Sequence, residues 1–369
     1  MVMYLKSSFS INSYDGCNIG CKYCILSTLG ENRNKVKKIA DEKELVEELK
    51  NYKFYSEHIP ITINNITDAF LNNQVFNSTI KILENIKESG LKNPCVLISK
   101  GYINEEQCEK LRSLKGLKII CLYTLSGLSE ILENRIESKQ IETIKRLSKI
   151  ENLTLLHYYR PLIEGINSDV ETIKRICNIA VKYFKGSIVA GIRINTHLKK
   201  VFDDLNIKVL YEKYDTEHKV ILNDTYNLIV KTFKDIDANY PCFKKTSCGI
   251  AYVCNMADYN GHSGRIDYCS PSCPSYNICF SSGSIGFCSS NCPNFINCEK
   301  SSKIMVTNDD VLKLLKIVGK DSEFEIKERV IYIKGEFTQE EITFLRHNLH
   351  RNVKVDKTIR CNNEDKLSK

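Results

Sequence analysis

The chain has 369 residues, of which 42% are apolar and 27% are charged, and its formal net charge is +8. This length suffices for a barrel-sized domain and one or two smaller ones, and the composition is that of an ordinary globular protein. No stretch is long and apolar enough to span a membrane, and the first residues lack the apolar core of a signal peptide, so we expect a cytoplasmic protein without a membrane partner. In such a reducing compartment, 17 cysteines indicate metal or iron–sulfur sites rather than disulfides. The positive charge permits an acidic or nucleic-acid partner without requiring one.

The first predicted element is a strand over residues 9–14 that leads into a loop with three closely spaced cysteines. Cys17, Cys21 and Cys24 follow the pattern C-x3-C-x2-C, and two glycines give the loop the backbone freedom that a tight wrap needs. Three thiolates on one loop match a four-iron cluster with one iron left open, because cysteine thiolates are the usual ligands of iron–sulfur clusters. The alternatives are part of a zinc site, which would need four ligands, or three unrelated cysteines.

Beyond this loop, strands and helices alternate to about residue 200. The predicted strands cover 61–64, 95–99, 117–124, 153–160 and 187–194. The predicted helices begin at an Asp-x-x-Glu capping box at 41–44 and then cover 78–89, 105–114, 139–149 and 168–183. Six alternating units predict an α/β fold in which a parallel sheet curls into a partial (β/α)6 TIM-like barrel. Functional groups in such a sheet lie at the carboxyl ends of its strands.

Polar side chains occupy those strand ends. Asp68 follows the strand 61–64, Lys100 follows 95–99, Ser126 follows 117–124, and Arg160 ends 153–160. Together they predict a small-molecule pocket at the barrel mouth, with ordinary loop polarity as the alternative. Arg160 is the strongest candidate, because an arginine at the end of an apolar strand needs a reason and its guanidinium could clamp a carboxylate.

A second concentration of cysteines lies between residues 242 and 298. Its members are Cys242, Cys248, Cys254, Cys269, Cys273, Cys279, Cys288, Cys292 and Cys298. The last six form two copies of C-x3-C-P-x4-C, and the density indicates a metal site, either iron–sulfur or structural zinc. The order of the cysteines leaves open which of them share a metal.

The last part of the chain predicts a small α+β add-on with two helices, a hairpin-like strand pair and a final strand. We therefore expect three parts: a partial barrel over 1–205, a cysteine-rich metal-binding segment over 206–302 and the add-on over 303–369.

The C-x3-C-x2-C loop, with an aromatic residue before its last cysteine, resembles the signature of the radical S-adenosylmethionine (SAM) enzymes. In that family the open iron chelates the amino and carboxylate groups of SAM, and an electron from the cluster cleaves SAM to a 5′-deoxyadenosyl radical that abstracts hydrogen from a substrate. The resemblance implies that the catalytic [4Fe-4S] cluster is bound by Cys17, Cys21 and Cys24. It implies SAM contacts from Tyr23, Asp68, Lys100, Ser126 and Arg160. It also implies a reductant such as flavodoxin or ferredoxin, and an auxiliary [4Fe-4S] cluster in the cysteine-rich segment, with zinc as the alternative.

Three further stretches resemble a narrower group, spore photoproduct lyase and its photolyase-like relatives. Residues 66–70 resemble the Thr-Asp-Pro-Tyr/Phe stretch of that group, and 136–137 and 160–167 resemble its Glu-Pro and Pro-x-x-Pro-Gly-x-Asn stretches. Ala69 and Glu164 stand where the group has proline. The hydrogen-donor cysteine of spore photoproduct lyase has no counterpart that aligns.

Three functions follow from these patterns. The photolyase-like barrel favours a radical SAM enzyme that repairs or modifies nucleic acid. The cysteine-rich segment favours modification of a peptide or small molecule with the help of an auxiliary cluster. The alternative without catalysis is a zinc- or cluster-binding interaction protein.

Overall fold

The computed structural model describes residues 2–5, 7–24, 34–214, 216, 219–256, 258–260, 273–275, 306–327, 330–349 and 351–359. The chain divides into two compact units, the first formed by Met1–Met3 with Phe9–Lys245 and the second by Tyr4–Ser8 with Thr246–Lys369. The predicted boundaries at 205 and 302 stay a prediction, and residues 276–305, around the second boundary, lie outside the described part of the chain.

An eight-stranded sheet organises the first unit. In spatial order its strands are β1 (Val2–Leu5), β2 (Ser8–Ile11), β5 (Ile61–Ile63), β6 (Cys95–Ser99), β7 (Ile119–Thr124), β8 (Leu153–Leu162), β9 (Ser187–Gly191) and β10 (Cys242–Phe243). From β2 to β10 every neighbouring pair is parallel. This confirms the predicted α/β fold with a parallel sheet. A separate two-stranded ribbon pairs β3 (Tyr14–Asp15) with β4 (Lys37–Lys38).

The helices of the first unit connect consecutive strands. They are α1 (Glu42–Lys50), α2 (Asn73–Glu88), α3 (Glu105–Ser113), α4 (Glu130–Glu133), α5 (Glu137–Leu147), α6 (Val170–Tyr183), α7 (Thr196–Asp204) and α8 (Asn223–Ile236). The Asp41 side chain caps α1 by accepting from two amides, as predicted. By contrast, α2 begins five residues before the predicted start at 78, because Asn72 caps it by accepting from the Val75 amide at 3.0 Å.

The centre of the sheet is buried on both faces. All six residues of β7 and four of the five in β6 are buried, as expected of parallel strands whose two faces are both covered. The short, continuous apolar runs that predicted these strands are therefore the sequence signature of a fully covered parallel sheet.

The second unit contains α9 (Thr246–Val253), α10 (Asn308–Val318) and α11 (Gln339–Leu349). Its sheet has the order β11 (Phe324–Lys327), β12 (Val330–Thr338) and β13 (Asn352–Ile359). The predicted hairpin pair is present as the antiparallel strands β11 and β12, and β13 pairs parallel with β12. No helix of the described residues is long and apolar enough to cross a membrane.

Candidate active site

A cavity of about 240 Å³ lies at the carboxyl ends of the parallel strands of the first unit. Its wall is built mainly by the loops that follow β3, β5 and β6 and by the ends of β7, β8 and β9. Seven of the eight residues named from the sequence as catalytic or SAM-binding line it, namely Cys17, Cys21, Tyr23, Cys24, Asp68, Lys100 and Arg160. Ser126 is not among the described residues of the wall. The structure thus brings together side chains that lie up to about 140 positions apart in the sequence.

The cysteine loop depends on two glycines in the left-handed region. Gly16 has φ 89° and Gly20 has φ 83°, which other residues rarely adopt. A Cβ atom on Gly20 would also lie 3.3 Å from the Asn134 side-chain nitrogen. The Cys24 amide donates to the Cys21 carbonyl at 3.1 Å, which tightens the turn between these two cysteines. The positive φ angles of Gly16 and Gly20 explain why this loop needs glycine at both positions.

The short helix α4 and the residue after it hold the cysteine loop in place. The Lys22 amide donates to a carbonyl of α4 at 2.8 Å, and the Cys21 thiol donates to the Glu133 carbonyl at 3.3 Å. Asn134, itself in the left-handed region at φ 51°, donates its side-chain amide to the carbonyl of Ile19. Cys21 and its neighbours Ile19 and Lys22 are therefore held by contacts that come from residues more than 100 positions later.

The buried thiols favour the protonated form. Burial raises the pKa of Cys17 to about 12, and the nearby carboxylate of Asp68 adds to the effect. Burial likewise raises the pKa of Cys21. A metal that binds here has to displace thiol protons, so binding would release them.

The thiols of Cys17, Cys21 and Cys24 line the same cavity. Among the described residues, no group of three or more His, Cys, Asp or Glu side chains is close enough to hold one metal ion. The assignment of these three cysteines as cluster ligands therefore stays a prediction.

Beside the cysteines lies a buried ion pair with a tyrosine between its partners. Lys100 Nζ is 3.0 Å from Glu133 Oε1, and the two side chains are 15% and 2% exposed. Tyr23 donates its hydroxyl to the same carboxylate oxygen. Lys100 donates to the Tyr23 hydroxyl and lies 4.6 Å from the centroid of its ring. Tyr23 is thereby fixed in the cavity wall by two charged groups.

Burial and the neighbouring charges of this network shift the pKa values of Lys100 and Tyr23. Burial, the largest single effect, lowers the pKa of Lys100, but the charge of Glu133 and its hydrogen bond, together with the nearby Cys21 and Asp68, outweigh burial and raise that pKa. Burial, followed by the charge of Glu133, raises the pKa of Tyr23 well above its ordinary value. Ser126 donates its hydroxyl to Glu133 Oε2 at 2.8 Å, so it helps to hold the carboxylate that contacts Tyr23 and Lys100. Its predicted place beside SAM stays a prediction.

Asp68 and Thr67 follow β5 and differ in their bonding. The Asp68 carboxylate accepts hydrogen bonds from the Ser99 hydroxyl and from the amides of Phe70 and Lys100 at 2.9 and 2.8 Å. It therefore ties the loop after β5 to the loop after β6. Thr67 is 9% exposed and lines the cavity, and its hydroxyl is buried without a hydrogen-bond partner. A buried hydroxyl of this kind is expected to bond to a ligand.

The opposite wall of the cavity is cationic. Arg160 donates to the Tyr158 hydroxyl at 2.7 Å and stacks over that ring at 5.3 Å. Arg193 and Lys219 line the same wall. Partial removal of its ammonium from water, followed by the charges of Arg160 and Arg193, lowers the pKa of Lys219. The residue as a whole is exposed, so solvent screens part of this effect.

Sequence reasoning missed Glu133 and Lys219. Glu133 ends a four-residue helix, which is too short to show a helical period, and a glutamate beside Asn134 and Arg135 reads as surface charge. Lys219 follows no predicted strand, so no signal in its neighbourhood pointed to the cavity.

The second group of cysteines falls mostly outside the described residues. Cys242 is buried in β10 of the first unit, while Cys248 in α9, Cys254 and Cys273 belong to the second unit. Five predicted ligands lie outside the described part of the chain, namely Cys269, Cys279, Cys288, Cys292 and Cys298. The predicted auxiliary metal site therefore stays a prediction.

Comparison with known proteins gives a likeness in fold. No family model matches the chain, and no curated protein matches it. A solved structure of a spore photoproduct lyase variant with bound AdoMet and dinucleoside spore photoproduct is similar over 66% of this chain and 78% of that chain, with a TM-score of 0.52 and 12% identity. A second variant of the same enzyme gives a TM-score of 0.53 at the same identity and coverage. The likeness confirms the predicted partial barrel, and it falls on the group that the sequence resembled.

Proposed function

We propose that this chain is a radical SAM enzyme that acts on nucleic acid. The observation that carries the proposal is that the three cysteines of one C-x3-C-x2-C loop line a single cavity at the carboxyl edge of the sheet. The fold shared with spore photoproduct lyase supports it. When bound, a [4Fe-4S] cluster together with SAM supplies the 5′-deoxyadenosyl radical that abstracts hydrogen from the substrate.

Each part of the cavity wall has a role in the proposed reaction. Cys17, Cys21 and Cys24 hold the cluster, and the contacts from α4 keep their loop in one conformation. The Lys100–Glu133 pair fixes the Tyr23 ring next to the cluster loop. Apolar side chains in the wall, including those of Ile19, Ile98, Ile192 and Leu198, reduce the access of water to a reactive site.

Polar groups of the wall match the polar groups of SAM. The Arg160 guanidinium can form charge-assisted hydrogen bonds with a carboxylate, and the unpartnered hydroxyl of Thr67 can bond to the ribose or the amino acid part. Asp68 has a supporting task, since its carboxylate already accepts three hydrogen bonds. A reductant such as flavodoxin or ferredoxin supplies the electron.

Nucleic acid is the preferred substrate for two reasons. The similar fold belongs to an enzyme solved with a dinucleoside spore photoproduct. The chain also carries a net charge of +8, which favours a polyanionic partner. A peptide or small-molecule substrate is the second candidate, supported by the cysteine-rich segment, whose auxiliary cluster could anchor such a substrate.

The substrate class is tested with the anaerobically reconstituted, chemically reduced protein. The formation of 5′-deoxyadenosine is measured with uniformly deuterated DNA, with RNA and with a mixture of peptides. The proposal predicts that nucleic acid raises the rate and that deuterium from DNA enters 5′-deoxyadenosine. Stimulation by peptides alone would overturn the nucleic-acid assignment while leaving the SAM chemistry intact.

A further inference from the structure

A second cavity of about 500 Å³ lies in the first unit and is lined by cations. Its wall includes Arg135, Lys139 and Arg146, with Glu142 as the carboxylate among the described lining residues. Glu142 lies 3.7 Å from Arg146, so it offsets one of the three positive charges. We refer to this cavity as the cationic groove.

The cations of the groove are arranged around one tyrosine. Arg135 lies over the Tyr102 ring at 5.0 Å and Lys139 lies over it at 5.9 Å. The Tyr102 hydroxyl accepts a hydrogen bond from the Ile136 amide at 2.7 Å, which fixes the ring. The ring therefore organises the two side chains before any ligand arrives, and this lowers the entropy lost on binding.

Two further features of the groove favour an anion. The Nε atom of Arg135 is buried and has no hydrogen-bond partner. The start of α2 also faces the groove through Asn72 and Asn73, and the first turn of that helix carries no acidic residue. Positive helix ends and arginine forks are the groups that proteins use to bind phosphate.

The groove and the active-site cavity are built on the same two loops. After β5, Asp68 lines the active-site cavity and Phe70 lines the groove. After β6, Lys100 lines the active-site cavity and Tyr102 lines the groove. The two cavities therefore border the same two segments of chain.

We propose that the cationic groove binds the phosphates of a nucleic-acid strand whose reacting nucleotide enters the active-site cavity. This inference rests on the proposed function for the identity of the substrate, but the binding itself needs neither cluster nor SAM. Phosphate fits better than the carboxylates of an acidic peptide, because a strand offers evenly spaced anions to several cations and a tetrahedral group to arginine.

The test measures the binding of a fluorescein-labelled single strand of about 12 thymidines by fluorescence anisotropy, a length in the range covered by single-strand sites. The full-length protein is compared with Arg135→Ala/Lys139→Ala and with the matched control Lys231→Ala/Lys234→Ala, which removes two exposed lysines from α8. Thermal melting checks that each variant folds. We expect the groove variant to bind about tenfold more weakly and to show a shallower salt dependence, by up to ~1.4 in the slope of log affinity against log salt.

Unchanged affinity in a folded groove variant, or an equal loss in the α8 control, would overturn the proposal. Competition by polyglutamate as strong as by unlabelled oligonucleotide would also overturn it in favour of an acidic peptide. SAM cleavage without nucleic acid is measured separately on each protein, so a failure of the radical SAM assignment is seen there and not in the anisotropy.

Discussion

Glu133 is the residue that holds several polar groups of the candidate site in position. Its carboxylate accepts hydrogen bonds from Tyr23, Lys100 and Ser126, and its carbonyl accepts from the Cys21 thiol. The glutamate is almost fully buried, so its charge is maintained by these partners rather than by water.

Replacing Glu133 by glutamine should be strongly destabilising. Glu133→Gln leaves the Lys100 ammonium buried without its counter-charge, and the loss of one partner from a buried ion pair costs about 3–5 kcal/mol. Urea unfolding of the variant and the wild type measures the difference in the free energy of unfolding. The matched control is Glu109→Gln, which breaks a mostly exposed pair with Arg112 and should cost less than about 1 kcal/mol.

The double variant Lys100→Met/Glu133→Gln separates charge from packing. It removes both charges, so it should regain much of the stability that Glu133→Gln loses. If the double variant is no more stable than the single one, then packing of the glutamate side chain, and not the charge of Lys100, determines the cost.

Removing the Thr67 hydroxyl should weaken SAM binding without lowering the stability of the protein. Thr67→Val replaces a buried, unpartnered hydroxyl by a methyl group of similar size, so the folded protein should be unchanged or more stable by up to about 1 kcal/mol. The dissociation constant for SAM, measured by equilibrium dialysis on the reconstituted protein, should rise about tenfold at most, the value of one neutral hydrogen bond. An unchanged dissociation constant would show that the Thr67 hydroxyl does not contact SAM.

Single residues of the site were predictable near the carboxyl ends of the strands. Asp68, Lys100 and Arg160 were named because apolar runs predicted strands that end close to them, and all three line the cavity, although Arg160 lies inside β8 and Asp68 lies five residues after β5. Ser126 also follows its strand, yet it turns towards Glu133. A strand end fixes where a residue lies but leaves the direction of its side chain to long-range packing.

At the scale of elements, the cysteine loop and α4 form one assembly. The loop has a signature in the sequence, because the proposed ligation of a cluster would fix the spacing of its cysteines. The helix has none, because its four residues contact the loop mainly through backbone groups that any residue could supply. The start of α2 was also misjudged, since Asn72 caps it and the buried face already includes Val75 and Phe76.

Strand β8 carries a buried histidine that makes stability depend on pH. His157 is fully buried, with Nδ1 2.9 Å from the Ser187 hydroxyl and Nε2 2.9 Å from the Leu125 carbonyl. Burial lowers the pKa of His157 to about 4. The unfolded chain takes up a proton below its ordinary pKa of about 6.5, whereas the folded protein resists protonation down to its own pKa. The contribution of neutral His157 to stability is therefore fully present above the unfolded pKa of about 6.5 and is lost as the pH falls from there towards about 4.

His157→Gln removes this titration and keeps a polar side chain at the position. Between pH 7.5 and pH 5 the wild type should lose about 2 kcal/mol more of its free energy of unfolding than the variant, from the linkage between the two pKa values. Urea unfolding of the apo proteins under anaerobic conditions at both pH values measures the difference. Equal pH dependence of both proteins would contradict the assignment of a neutral, buried imidazole.

For the whole molecule, the sequence was sufficient for the fold of the first unit. Alternating apolar runs and amphipathic helices leave few arrangements other than a parallel sheet covered by helices. The limit of the first unit was harder to foresee, because β10 adds only Cys242 and Phe243 to the edge of the sheet after a long segment without a predicted strand. Two residues give no periodic signal.

The cysteine-rich segment predicts a second metal site that does not depend on the first. In the variant in which Cys17, Cys21 and Cys24 are all replaced by alanine, anaerobic reconstitution should still give about four irons per chain, the content of one auxiliary cluster. Metal analysis and absorption spectra measure the result. Stoichiometric zinc without iron would decide for a structural zinc site that shapes the segment without electron transfer.

The central claim is that the loop with Cys17, Cys21 and Cys24 holds a cluster that cleaves SAM. It is tested most directly by quantifying 5′-deoxyadenosine after anaerobic reconstitution and reduction with dithionite, in the wild type and in the triple alanine variant. The account predicts 5′-deoxyadenosine from the wild type and none from the variant, even where the variant retains iron elsewhere. Undiminished SAM cleavage in the triple variant, or none in a wild type loaded with a four-iron cluster, would contradict it.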